Sequence, residues 1–174
     1  QPRGHGNLLN GLGIRIESSS NVIIRNNFFE GCGGKIIELD GALQPQSNLK
    51  IEFNRVLNMN AGTMRSYGPD AHFVAFCNVA GGTQNSISYN RILNLPNQSF
   101  STDVFNSYQS AGGHIEDYEN TSDPNWLRIQ GNLILGSMFY NFWGSGMQVA
   151  DHLPGYPGLL QHHLVRDNAF VFAG

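Results

Sequence analysis

Ser86-Ile87-Ser88-Tyr89-Asn90-Arg91-Ile92-Leu93 is the stretch from which the fold can be read, because four other segments copy its pattern. They are Val22-Ile23-Ile24-Arg25-Asn26-Asn27-Phe28-Phe29, Lys50-Ile51-Glu52-Phe53-Asn54-Arg55-Val56-Leu57, Arg128-Ile129-Gln130-Gly131-Asn132-Leu133-Ile134-Leu135 and Leu164-Val165-Arg166-Asp167-Asn168-Ala169-Phe170-Val171. Aligned by eye, they place Asn26, Asn54, Asn90, Asn132 and Asn168 in one column. Three residues earlier stand Ile23, Ile51, Ile87, Ile129 and Val165. Two residues later stand Phe28, Val56, Ile92, Ile134 and Phe170, and three later Phe29, Leu57, Leu93, Leu135 and Val171. Between the apolar columns runs a mixed one: Ile24, Glu52, Ser88, Gln130 and Arg166. Such alternation is the mark of strands with one buried face.

Each repeat therefore predicts a short strand, a bend at Asn and a second short strand. Asn suits a bend because it tolerates left-handed backbone. Stacked coils would align the Asn amides in a hydrogen-bonded ladder and pile the Ile and Val columns into an interior. The Asn spacings of 28, 36, 42 and 36 residues exceed a bare coil, so loops must bulge between coils. A third strand is expected at 13–17, 35–40, 72–77, 103–108 and 146–150, with loops at 58–71, 95–102, 136–145 and 109–125. A sandwich leaves five aligned Asn without a reason, and leucine-rich repeats are shorter and more uniform. The fold class read here is all-β: a right-handed parallel β-helix, a single-stranded solenoid of about five coils with loop excursions.

Composition agrees. The 174 residues hold 20 Asn and 21 Gly, both poor helix formers. Charged residues are only 13%, so uncharged polar groups must carry solubility. A net charge of -3 with two lysines, Lys35 and Lys50, argues against nucleic acid as a partner. The sequence offers no apolar run long enough for membrane insertion. Cys32 and Cys77 are expected as buried thiols in preference to a disulfide. Asn97-Gln98-Ser99 and Asn120-Thr121-Ser122 are glycosylation sequons.

These segments resemble the pectate-lyase-like parallel β-helix superfamily, whose generic repeat is Asn-centred in the same way. The resemblance runs from about Gly11 onward. Asp103-Val104-Phe105-Asn106-Ser107-Tyr108-Gln109-Ser110 and Gly144-Ser145-Gly146-Met147-Gln148-Val149-Ala150-Asp151 are similar to a group of bacterial β-helix proteins, with no particular activity implied. The superfamily spans lyases, hydrolases, epimerases, tailspikes and non-enzymatic surface proteins. The paired-Asp motif of polygalacturonases and the Trp-Ile-Asp-His motif of pectate lyases are missing. Residues 1–174 read as one β-helix domain, expected to be a segment of a longer one, because the chain opens inside a coil and closes straight after a strand.

Function is expected to be extracellular and carbohydrate-directed: the protein binds or cleaves a polysaccharide, as lyase or glycoside hydrolase, secreted or on a cell surface. Catalytic candidates are Asp70, His72, Asp103 and Asp151, which lie on or beside the strand before each Asn-bearing strand. Paired carboxylates on one face hydrolyse glycosides as acid and base or nucleophile. Glu38 and Asp40 belong to the same face and form a weak calcium candidate, though no cofactor is required. The plainer reading, that such residues are solvated turn formers, stands ahead for any one of them. Tyr108, Tyr140, Trp143 and Arg166 are the substrate-binding candidates, since exposed rings stack on sugars. The dense Met138-Phe139-Tyr140-Asn141-Phe142-Trp143 loop would equally serve to cap the core. From a different class comes the alternative of a non-catalytic structural or adhesive solenoid, such as a surface fibre or phage tailspike segment, that associates end to end or laterally.

Overall fold

The computed structural model describes residues 13–59 except 33, 72–136 except 80, 96–103, 109, 111 and 114, then 147–150 and 162–172. Among these the chain is all β, without a helix. Strands β1 (Ile14–Glu17), β4 (Ile37–Gln44), β7 (Val74–Val79), β10 (Phe105–Tyr108) and β13 (Met147–Ala150) form a first sheet in that order. A second sheet holds β2 (Ile23–Arg25), β5 (Lys50–Glu52), β8 (Ser86–Ser88), β11 (Leu127–Gln130) and β14 (His163–Arg166). The third holds β3 (Phe28–Glu30), β6 (Arg55–Leu57), β9 (Arg91–Asn94), β12 (Leu133–Gly136) and β15 (Ala169–Phe172). Every pairing is parallel, and each strand pairs with the one three places on in the chain. That arrangement of repeating triplets is compatible with a parallel β-solenoid. The strand expected before each Asn-bearing segment is present in all five repeats, beginning one or two residues later than the sequence suggested.

The first repeat is displaced by one residue from the alignment made by eye. Ile24, not Ile23, pairs with Ile51, and Phe29, not Phe28, pairs with Val56. Ile24 is 7% exposed and Ile23 49%, so the shift carries the right side chain inward. It also puts Asn27 rather than Asn26 in the Asn column, 27 residues before Asn54. The mixed column then reads Arg25, Glu52, Ser88, Gln130 and Arg166, with no isoleucine out of place and with Ser88 buried.

Interior columns come from all three sheets. Ile37, Val74 and Phe105 are fully buried in the first, Ile51, Ile87 and Ile129 in the second, and Val56, Ile92 and Ile134 in the third. Burying each such side chain is worth roughly 1.5–3 kcal/mol. A file of rings, Phe29, Phe73, Phe105 and Phe170, runs along the core with centroids 6.4, 6.2 and 6.5 Å apart. Among the buried polar residues is Ser107 of β10, whose Oγ lies 2.8 Å from His163 Nε2. The apolar column three residues after the Asn does not join the core. Successive strand residues face opposite sides, so with Val56, Ile92 and Ile134 inward, Leu93, Leu135 and Val171 stand exposed on the third sheet. Cys32 and Cys77 are both free thiols.

Candidate functional site

The corner between the second and third sheets takes only two residues per repeat. The second of these is the column asparagine. Its Nδ2 donates to the Oδ1 of the next one: Asn27 to Asn54 at 3.0 Å, Asn54 to Asn90 at 3.0 Å, Asn90 to Asn132 at 3.0 Å and Asn132 to Asn168 at 2.8 Å. Each Oδ1 also accepts the backbone N–H of the preceding asparagine, at 2.9–3.0 Å. From Asn54 on, Nδ2 donates a second time, to the carbonyls of Ile24, Ile51, Ile87 and Ile129. The amide thus uses two donors and two acceptor sites, which is its full capacity. That explains how Asn54 and Asn90 sit at 0% exposure.

The left-handed residue at this corner is not the ladder asparagine, as the sequence suggested, but the one before it. Asn26, Phe53, Tyr89, Gly131 and Asp167 have φ of 57°, 55°, 57°, 64° and 55°. The reason is geometric: left-handed backbone turns the chain through the corner, and the next residue then points its side chain inward. Asn, Gly and Asp are ordinary occupants of this region, whereas Phe and Tyr are outliers there. Nonetheless Phe53 and Tyr89 occupy it on adjacent repeats, 51% and 49% exposed, with ring centroids 5.3 Å apart and planes 13° apart. Gly131 makes room for the next rung of this stack. A Cβ there would lie 2.5 Å from Cδ1 and Cε1 of Tyr89. Tyr89 is therefore covered on both faces, by Phe53 and by the Gly131 backbone, while the stack ends at Phe53.

Beyond Phe53 the surface opens into a groove of about 560 Å³ lined by Asn26, Phe28, Phe53, Arg55, Tyr89 and Arg91 with the ladder residues Asn27 and Asn54 beneath. Phe28 is 61% exposed. Arg55 and Arg91 are exposed register neighbours on β6 and β9. No carboxylate lines the groove. Among the described residues neither guanidinium has an ion pair. The site is thus an aromatic platform beside two cations that, among the described residues, have no ion-pair partner.

The face on which the sequence placed the chemistry is different. On the outer side of the first sheet, Arg15 Nε lies 2.8 Å from Glu17 Oε1 and 3.5 Å from Glu38 Oε1, and its Nη2 3.3 Å from Asp40 Oδ2. Lys35 Nζ is 2.8 Å from Glu38 Oε2. Asp40 Oδ1 accepts from the Ala42 N–H and from Asn78 Nδ2. The structure therefore brings Glu38 and Asp40 together, as expected, but around Arg15 and Lys35. Among the described residues no three His, Cys, Asp or Glu side chains converge to hold a metal ion. His72 is buried, and its backbone carbonyl accepts from Ile36. Arg166 is exposed at the end of β14, 3.3 Å from Gln130 Oε1 and 3.5 Å from Asp167. Tyr108 belongs to β10. The Tyr108 side chain and all of Asp70, Asp103, Asp151, Tyr140 and Trp143 lie outside the described residues.

The excursion after β10 is exposed and acidic from Glu116 to Glu119, as its composition predicts. Trp126 Nε1 donates to the Asn120 carbonyl at 3.1 Å, and Arg128 to the carbonyls of Thr121 and Asp123. Burial, and then the nearby Arg166 charge, pull the Arg128 guanidinium below its ordinary value. Tyr118 packs on Trp126 and His162.

No family model, curated protein or solved structure matches this chain.

Sequence reasoning missed Phe53, Tyr89 and Arg55 as site residues. The available signal was the column just before the Asn, where Asn26, Gly131 and Asp167 mark a left-handed position that aromatics should avoid.

Proposed function

We propose that this chain is a right-handed parallel β-helix of the pectate-lyase-like kind that binds polysaccharide in the groove at its second corner. It holds the glycan without cutting it, and a secreted or cell-surface location goes with that role. One observation carries the reading: Phe53 and Tyr89 keep large, half-exposed rings at left-handed backbone positions, and the stack ends on Phe53 at the groove. Holding a bulky L-residue there costs about 1–2 kcal/mol each, and glycine, used at Gly131, would avoid it. Strain maintained at an exposed platform is the signature of a binding site rather than of packing. Aromatic faces bind sugar rings by apolar contact. Cleavage by Glu38 and Asp40 is the weaker reading, since both are already engaged by cations.

The test is retention on a panel of immobilised polysaccharides, wild type against Phe53→Gly, with reducing ends and unsaturated-uronate absorbance followed in parallel. Binding by the wild type, its loss in the variant, and silence in both cleavage assays are expected. Equal retention of the two proteins would remove the groove from the account.

A second reading, a structural or adhesive solenoid, draws on the exposed Leu93, Leu135 and Val171 column of the third sheet. An aliphatic stripe of that kind suits lateral association.

A further inference from the structure

We propose that the groove is selective for acidic glycans, and that Arg55 and Arg91 together hold one carboxylate or sulfate group while a sugar ring lies on the open face of Phe53. This rests on the sugar-binding reading of the groove and adds the charge of its ligand.

Arg55 and Arg91 are paired in register on parallel strands, which lie about 4.8 Å apart. Like charges placed directly opposite are unfavourable. Among the described residues no carboxylate offsets them: the same column continues as Phe28 on one side and Leu133 and Ala169 on the other. Arg15 and Lys35 at the first sheet, by contrast, both meet carboxylates. Two adjacent guanidinium groups without an acid form a receptor for a planar or tetrahedral oxyanion, which each can bind in forked fashion. The ring platform ends at Phe53, in the same groove as both arginines, so ring and anion can be met by one saccharide unit. Two arginines in a chain of net charge -3 are too few for a nucleic-acid backbone. A competing occupant is the exposed acidic turn around Glu116, Asp117 and Glu119 of a second copy.

Titration calorimetry with alginate, its propylene-glycol ester, dextran sulfate and dextran tests this, using wild type, Arg55→Gln/Arg91→Gln and Phe53→Gly. The arginine double variant alters only exposed side chains, and its melting temperature serves as the check on folding. Tighter binding of a charged polymer than of its neutral partner is expected, with roughly a tenfold loss in the arginine variant and none for the neutral polymer. The alginate and dextran sulfate arms show whether the anion is carboxylate or sulfate. Charged and neutral polymers bound alike, through Phe53 but independently of the arginines, would overturn acid selectivity and leave the sugar-binding reading standing. No binding by any polymer would remove both. Sedimentation velocity supplies a further arm: wild-type self-association abolished by the arginine variant would give the groove to a second copy and overturn the proposal.

Discussion

Two neighbouring columns of the same corner follow opposite rules. In the asparagine column every polar atom from Asn54 to Asn132 is buried and satisfied, and each residue is the one best able to do the work. One residue earlier, Phe53 and Tyr89 are exposed and sit in backbone geometry that disfavours them. The first column ties successive repeats together. The second gives up stability to present rings. The lesson is that a repeat's structural and functional positions can be separated by comparing what each rung needs with what it holds.

The largest effect is expected in the ladder. Asn90→Ala would strand the backbone N–H and the amide of Asn54, both of which donate to Asn90 Oδ1. Two buried donors left unmet cost about 4 kcal/mol, read as a shift in the urea midpoint. The same change at Asn27, the exposed end of the ladder, should cost only about 1 kcal/mol. Equal losses at the two sites would contradict the ladder account.

Gly131→Ala sharpens the comparison from the other side. It adds the left-handed cost of about 1–2 kcal/mol and drives a methyl into the Tyr89 ring. A lower melting temperature together with altered Tyr89 ring signals in NMR is expected. A variant unchanged in both would show that Tyr89 does not depend on the missing Cβ.

The smallest effect concerns a thiol outside both columns. Burial raises the Cys32 thiol above its ordinary value, against weaker opposing hydrogen bonds that include the Glu30 carbonyl. A raised value means less thiolate at neutral pH, so Cys32 should react with a thiol reagent more slowly than free cysteine, and its rate should climb only at higher pH. A rate matching free cysteine across that range would count against the burial.

Much of the arrangement of three parallel sheets was legible. Period-two alternation and recurring Asn marked the second and third sheets, and the strand before each could be placed from its apolar residues. The first register was lost by one because Val22-Ile23-Ile24 and the Asn26-Asn27 doublet satisfy both alignments; only the pairing of Ile24 with Ile51 decides between them. The outward turn of Leu93 and Leu135 follows from alternation, which forbids both neighbours on a strand from facing in once Ile92 and Ile134 do. Glu38 and Asp40 were correctly put on one face, but Arg15 reaches them from the neighbouring strand, β1, and such reach is a matter of register, not of motif. Phe53 and Tyr89 escaped notice because aromatics suit strands, which concealed that these two occupy a turn.

The most direct test of the central claim is thermal unfolding and polysaccharide binding of the double variant Phe53→Gly/Tyr89→Gly. Glycine is at ease with positive φ, so the account predicts a melting temperature equal to or above wild type, with binding lost. A protein that melts lower yet binds as before would show that the two rings serve packing, and the account would be wrong.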